Sequence, residues 1–203
     1  MKEAGIRFFV PVDAKSTLQL YKTIDNANKD GFEKFNILIA SKGGDVDIGI
    51  SANMTLKHYI TKRGINIDTY AVGNVDSIAN LLFCSGFNRY SDKYSTFTIH
   101  DVFWNFAGSF TMYPEKMMEM AVGMEYKRNI IAELLNLVIK KGVDEIKEIM
   151  KKGIVLRVDE ALEYNLVTKI KEPELSDYAE MFTIDEYIDE IPRIKIGNYS
   201  RIC

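Results

Sequence analysis

The chain is poor in the residues that metal and redox sites need. It holds two histidines and two cysteines in 203 residues. No CxxC or HExxH pattern occurs, so no metal site and no cofactor is expected. Cys84 lies in an apolar run and Cys203 is the last residue, which offers no disulfide framework and points to a reduced, cytoplasmic setting. Charge of one sign is lacking too. The formal net charge is -3 and the lysines are scattered, whereas a nucleic-acid binder needs a basic face or stripe. No apolar run is long enough to span a bilayer, and MKEAGIRFFVPVDA does not follow the pattern of a signal peptide. What is present is a 47% apolar share, enough to bury a substantial core, in a length that fits one domain or one domain plus an appendage.

The order of apolar runs predicts an α/β fold with a mainly parallel sheet and right-handed crossovers. Residues 7–12 read as a strand. Residues 16–28 carry apolar positions at helical spacing, with Ser16 as the expected cap. Residues 35–40, FNILIA, form a nearly continuous apolar run, as buried parallel strands do. Ser41-Lys42-Gly43-Gly44 breaks it, and a helix to about Lys62 follows. Residues 67–72 are a strand, 78–85 a helix and 94–99 a strand that ends at His100. From Pro114 to about Lys140 the spacing predicts one helix, roughly 40 Å long at about 1.5 Å per residue. That is longer than a compact sheet needs, so its methionine-rich stripe is expected to pack on another subunit, a core stripe within the monomer being the alternative. Helices over 143–152 and 159–164 follow, then a strand over 166–170. The tail from Glu172 is acidic and aromatic and shows no catalytic spacing.

Three strand ends carry notable residues: Gly43-Gly44, Ser77 and His100. Sites of open α/β sheets form at the carboxyl ends of strands, so the three are expected on one rim. Acyl transfer needs a hydroxyl, a base and two backbone N–H donors for the oxyanion. Each residue also has a plainer reading. Ser77 can cap its helix, Gly43-Gly44 can be an ordinary turn, and His100 can be structural. Spacing alone leaves both readings open. His58, within an amphipathic helix, reads as a surface residue.

Four blocks carry a resemblance. ILIASKGGDVDIGISANM resembles the strand, Ser-Pro-Gly-Gly, helix segment of Clp protease proteolytic subunits. AVGNVDSIANLLFCSG resembles their Gly-Gln-Ala-Ala-Ser-Met-Gly-Ala stretch, with the nucleophile falling on Ser77. STFTIHDV resembles Met-Ile-His-Gln-Pro, with the catalytic histidine falling on His100. VLRVDEALEYNLVTKI resembles the family's closing Phe-Leu-Ser-Ala-Pro block. The spacings between blocks agree from about Phe8 to Ile170, and the long helix falls where the family has its handle. The resemblance implies a ClpP/crotonase-type fold over residues 1–171, with 172–203 as a C-terminal extension that covers a sheet edge or a subunit face. It implies a serine peptidase acting on short peptides or unfolded chains, assembled into a homo-oligomeric ring. Its oxyanion donors would be the N–H groups of Gly44 and Ile78.

The departures are specific. The family's triad aspartate falls on Gly153, leaving either a Ser77–His100 dyad, another acid such as Asp101 or Asp159, or a silent site that serves as scaffold or regulator of a Clp-type ring. Adjacent strand residues point to opposite faces, which counts against the Asp101 carboxylate. Asp76 and Asn80 stand where the family has small residues, and Lys42 replaces a proline. Only about seven residues precede Phe8, so no tight partnership with an AAA+ unfoldase is expected.

Overall fold

The computed structural model describes residues 1–104, 111–175 and 178–185, together with the backbone strand at 193–194. Cys203 and most of the extension lie outside the described residues. The elements run β1 (Glu3–Phe8), α1 (Ala14–Lys29), β2 (Lys34–Ser41), α2 (Val46–Arg63), β3 (Asn66–Asp76), α3 (Ala79–Phe83), β4 (Arg89–Ser91), β5 (Thr96–Ile99), α4 (Pro114–Ile139), α5 (Val143–Lys152), β6 (Ile154–Arg157), α6 (Val158–Glu163), β7 (Lys169–Ile170), β8 (Glu180–Ile184) and β9 (Arg193–Ile194).

The sheet order is β6-β5-β3-β2-β1-β8-β9, with β4 pairing β3 and β7. Pairing is parallel except for β5 with β6 and β8 with β9. Its centre is mostly apolar: Ile6, Phe8, Phe35, Ile37, Ile39, Ile67 and Ala71 are entirely buried, with Asn36 and Thr69 as buried polar residues among them. Continuous apolar runs form strands covered on both faces, and these strands supply the core.

Two local features aim the site. The register of β3 against β2 shifts between the pairs Ile39 with Ala71 and Ser41 with Val75. At that irregularity β3 changes its other partner, from β4 along 69–71 to β5 along 74–76. The strand therefore runs four residues further than the apolar run 67–72 suggested, and delivers Asp76 and Ser77 beside β5. Second, α1 is capped by Asp13 rather than Ser16. Asp13 accepts from the Ser16 N–H at 2.7 Å, and Ser16 closes the reciprocal bond to the Asp13 N–H at 3.0 Å.

The long helix α4 is divided in its environment. Its buried residues, Ile131, Ala132, Leu135, Val138 and Ile139, all lie in the C-terminal half. Met117, Met118, Val122 and Tyr126, in the other half, are exposed. Residues 178–185 join the sheet: β8 runs parallel to β1, and Tyr178 and Met181 pack with Leu38 and Tyr70. A β-carbon on Gly5 would collide with Met181 and Tyr178 at 2.5 and 2.6 Å, so the close seat of this segment needs a glycine there.

Candidate active site

The turn at Ser77 is built against the usual preferences of the chain. Ser77 has φ +56°, a left-handed conformation that costs a non-glycine residue about 1–3 kcal/mol and persists only where its surroundings impose it. The surroundings are visible. The Ser77 N–H donates to the Thr98 carbonyl at 2.8 Å, joining the turn to β5. The buried Asn80 side chain donates from Nδ2 to the carbonyls of Ser77 (3.0 Å), Thr98 (2.8 Å) and Val75 (3.2 Å). Asn80 therefore fastens the end of β3 to the end of β5. A sharp strand-to-helix turn of this kind lifts a serine hydroxyl out of the backbone. Ser77 is half-buried, and its hydroxyl caps no helix: α3 has no side-chain cap.

Gly43 and Gly44 pack directly on this turn. A β-carbon on Gly43 would stand 2.7 Å from Ser77 Cβ, 2.8 Å from the Asp76 carbonyl and 3.2 Å from the Ile78 nitrogen. Gly43 also has φ +87°, so glycine is needed for both conformation and approach. Val12 bridges this loop: its N–H donates to the Gly43 carbonyl and its carbonyl accepts from the Asp45 N–H. That pattern turns the Gly44 N–H away from Val12. Neither the Gly44 nor the Ile78 N–H meets an acceptor among the described residues. The Ile78 side chain is locked against α2, where a β-carbon on Gly49 would come within 2.2 Å of it.

Ser77 and His100 line one small cleft, with Ile78, Asn80, Leu81, Asp101, Val102, Ile131 and Leu135 among its other walls. Its volume is about 20 Å³, room for about one water. No hydrogen bond joins Ser77 to His100 among the described residues. The His100 ring packs against Phe103 at a tilt of 36°, with centroids 5.3 Å apart. Its Nδ1 lies 2.7 Å from the main-chain carbonyl of Asp101.

The candidate acids fall elsewhere. The Asp101 carboxylate is taken by Arg128, from Nε at 2.8 Å and Nη2 at 2.5 Å, and by the Val102 N–H at 2.8 Å. Burial alone would raise its pKa. The Arg128 hydrogen bonds, the Val102 N–H and the charges of Arg128 and Lys151 outweigh that and hold it below the usual value. Asp159 is exposed and pairs with Arg157. Gly153 ends α5 with φ +66° and sits beside His100: a β-carbon there would lie 3.9 Å from His100 Cβ. The antiparallel register explains this, because Ile99 pairs with Ile154 and the next step sets His100 opposite Gly153. Asp76 is half-buried and does not line the cleft, and one of its carboxylate oxygens is buried without a partner among the described residues. Lys42 and His58 are exposed.

Sequence reasoning missed the roles of Asn80 and Arg128. Asn80 had a signal, a polar residue where the matching pattern is small. Arg128 had none, because its partner lies 27 residues away on another element.

A mainly parallel sheet, a strained serine turn at a strand end and a long projecting helix define a ClpP-type α/β architecture. The chain belongs to the Clp protease family, whose sequence profile matches residues 1–174. Among solved structures it is similar to a point mutant of ClpP1 from Listeria monocytogenes, with TM-score 0.70 and 19% identity over 84% of this chain and 92% of that one. At that identity the likeness speaks for the fold. Comparison with curated proteins gives no match. No helix of the described residues is long and apolar enough to cross a membrane.

Proposed function

We propose that this chain is a ClpP-like serine peptidase that cleaves short peptides or unfolded chains with a Ser77–His100 pair. One observation carries the reading. Ser77, in a left-handed turn against which Gly43 is pressed, lines one cleft with His100. In this reading Ser77 Oγ attacks the scissile carbonyl and His100 takes its proton. The N–H groups of Gly44 and Ile78 receive the developing oxyanion, each such donor being worth about 3–4 kcal/mol in a preorganised site. The imidazolium then returns the proton to the leaving amine, and water hydrolyses the acyl-enzyme by the reverse proton path. The subunits assemble into a homo-oligomeric ring through the exposed N-terminal half of α4, with its Met117, Met118, Val122 and Tyr126.

A second reading is favoured by Gly153, which removes the expected acid. In it the chain is a catalytically silent scaffold or regulator of a Clp-type ring. Hydrolysis of unstructured peptides by the purified protein separates the two. The peptidase reading expects turnover that Ser77→Ala and His100→Ala each abolish. Equal background rates in all three proteins would support the scaffold.

A further inference from the structure

We infer that the main-chain carbonyl of Asp101 serves as the acceptor that orients His100, and that Arg128 on α4 is the positioning residue that holds it there. The inference rests on the peptidase reading for its consequence in catalysis, but not for its geometry.

The chemistry follows from the acceptor. A carbonyl oxygen cannot donate, so the 2.7 Å contact requires a proton on Nδ1 of His100. A neutral imidazole protonated at Nδ1 carries its lone pair at Nε2, the form a general base needs. In a serine triad a carboxylate imposes this tautomer. Here Gly153 stands opposite His100 and offers no side chain.

A carbonyl in a loop orients a ring only if its own peptide is fixed. Asp101 follows β5 and lies outside any regular element. Its side chain supplies the fixation. Both carboxylate oxygens are engaged by the Arg128 guanidinium, a two-point fork that sets direction as well as distance. The Val102 N–H, part of the same peptide as the Asp101 carbonyl, closes onto Oδ1 and pins that peptide directly. Arg128 is in turn held by Glu125, one helical turn earlier. The arginine side chain is 19% exposed and the aspartate 26%, so the pair is largely withdrawn from water. Lys151 and Glu148 complete the charges around it. The handle helix and the proton relay are thus joined through one ion pair. A neutral carbonyl lacks the charge with which a carboxylate stabilises imidazolium, so the arrangement fixes the tautomer without giving the full advantage of an acid.

Nitrogen-15 NMR of the full-length protein, labelled at histidine and measured at pH 8, tests this directly, with His58→Gln assigning the second histidine. The wild type is expected to show a protonated Nδ1 and an unprotonated Nε2 at His100. Arg128→Ala is expected to shift His100 toward the Nε2–H tautomer and to slow fluorophosphonate labelling of Ser77 at least tenfold. Arg128→Lys, which keeps the charge but not the fork, should recover part of both. If Arg128→Ala does not fold, Asp101→Asn keeps the main-chain carbonyl and breaks the ion pair, and the same tautomer shift is expected. An Nε2–H tautomer in the wild type, or one unmoved by Arg128→Ala and by Asp101→Asn, would overturn the inference. A tautomer that responds while Ser77 never labels would instead sink the peptidase reading and leave the positioning intact.

Discussion

Gly153 faces His100 across the β5–β6 pair, with its open β-position 3.9 Å from His100 Cβ. In the proposed reading, the position where the resembled pattern carries an acid is thus an open one beside His100. Gly153→Asp is therefore predicted to raise peptide turnover, by about tenfold or more, since a triad carboxylate is worth up to roughly 10⁴ where it has been removed. The backbone here, φ +66° and ψ 105°, lies outside the left-handed helical well and costs an aspartate about 1–3 kcal/mol, so a lower Tm should accompany the gain. Parallel kcat and melting measurements check both. A loss of turnover in a folded variant would contradict the placement.

Gly43 is poorly able to accept a side chain. Its φ is positive, and a methyl group would meet Ser77 Cβ and the Asp76 carbonyl within 2.8 Å. Gly43→Ala is predicted to destabilise the protein by about 2–4 kcal/mol, from strain and overpacking combined, and to abolish turnover. Denaturant unfolding with a peptidase assay reads both effects. Lys42→Pro, at the exposed neighbour, should leave the fold intact.

The exposed half of α4 predicts assembly. Met118 is 69% and Tyr126 67% exposed on a helix whose other half is core. Glutamate at either position would place a charge in an apolar interface and should lower the mass measured by light scattering, with the circular dichroism unchanged. A mass equal to wild type for the double variant would mean the helix packs on nothing.

Cys84 is buried at 1% exposure, and burial pushes its thiol up to about 11, against an ordinary value of 9.0. The thiolate is the reactive form, so native Cys84 is predicted to resist iodoacetamide at pH 8 and to react on unfolding. The sign for stability follows. The folded state holds its proton longer, so this contribution is intact below pH 9.0 and is lost as pH rises toward 11. Mass spectrometry of the labelled site and alkaline melting curves check the two parts.

The fold was legible because its strands are continuous apolar runs punctuated by Gly43-Gly44, Ser77 and His100. Period and punctuation survive folding. The left-handed Ser77 and the overrun of β3 were not legible, because both are imposed by long-range bonds from Asn80 and Thr98. The antiparallel β6 was missed as a strand, since IVLR is short and half exposed. Asp101 shows why residue type alone misleads. Its carboxylate, the group a search for acids looks for, is bound to Arg128, while its backbone oxygen meets the histidine.

Peptidase function requires the Ser77 hydroxyl to be activated as a nucleophile, and active-site phosphonylation tests that most directly. Wild-type protein treated with a fluorophosphonate and digested should carry the adduct on the peptide containing Ser77, and His100→Ala should carry at least a hundredfold less, the scale of a lost general base. No adduct on the folded wild type, or an equal adduct on Ser77→Ala, would contradict it.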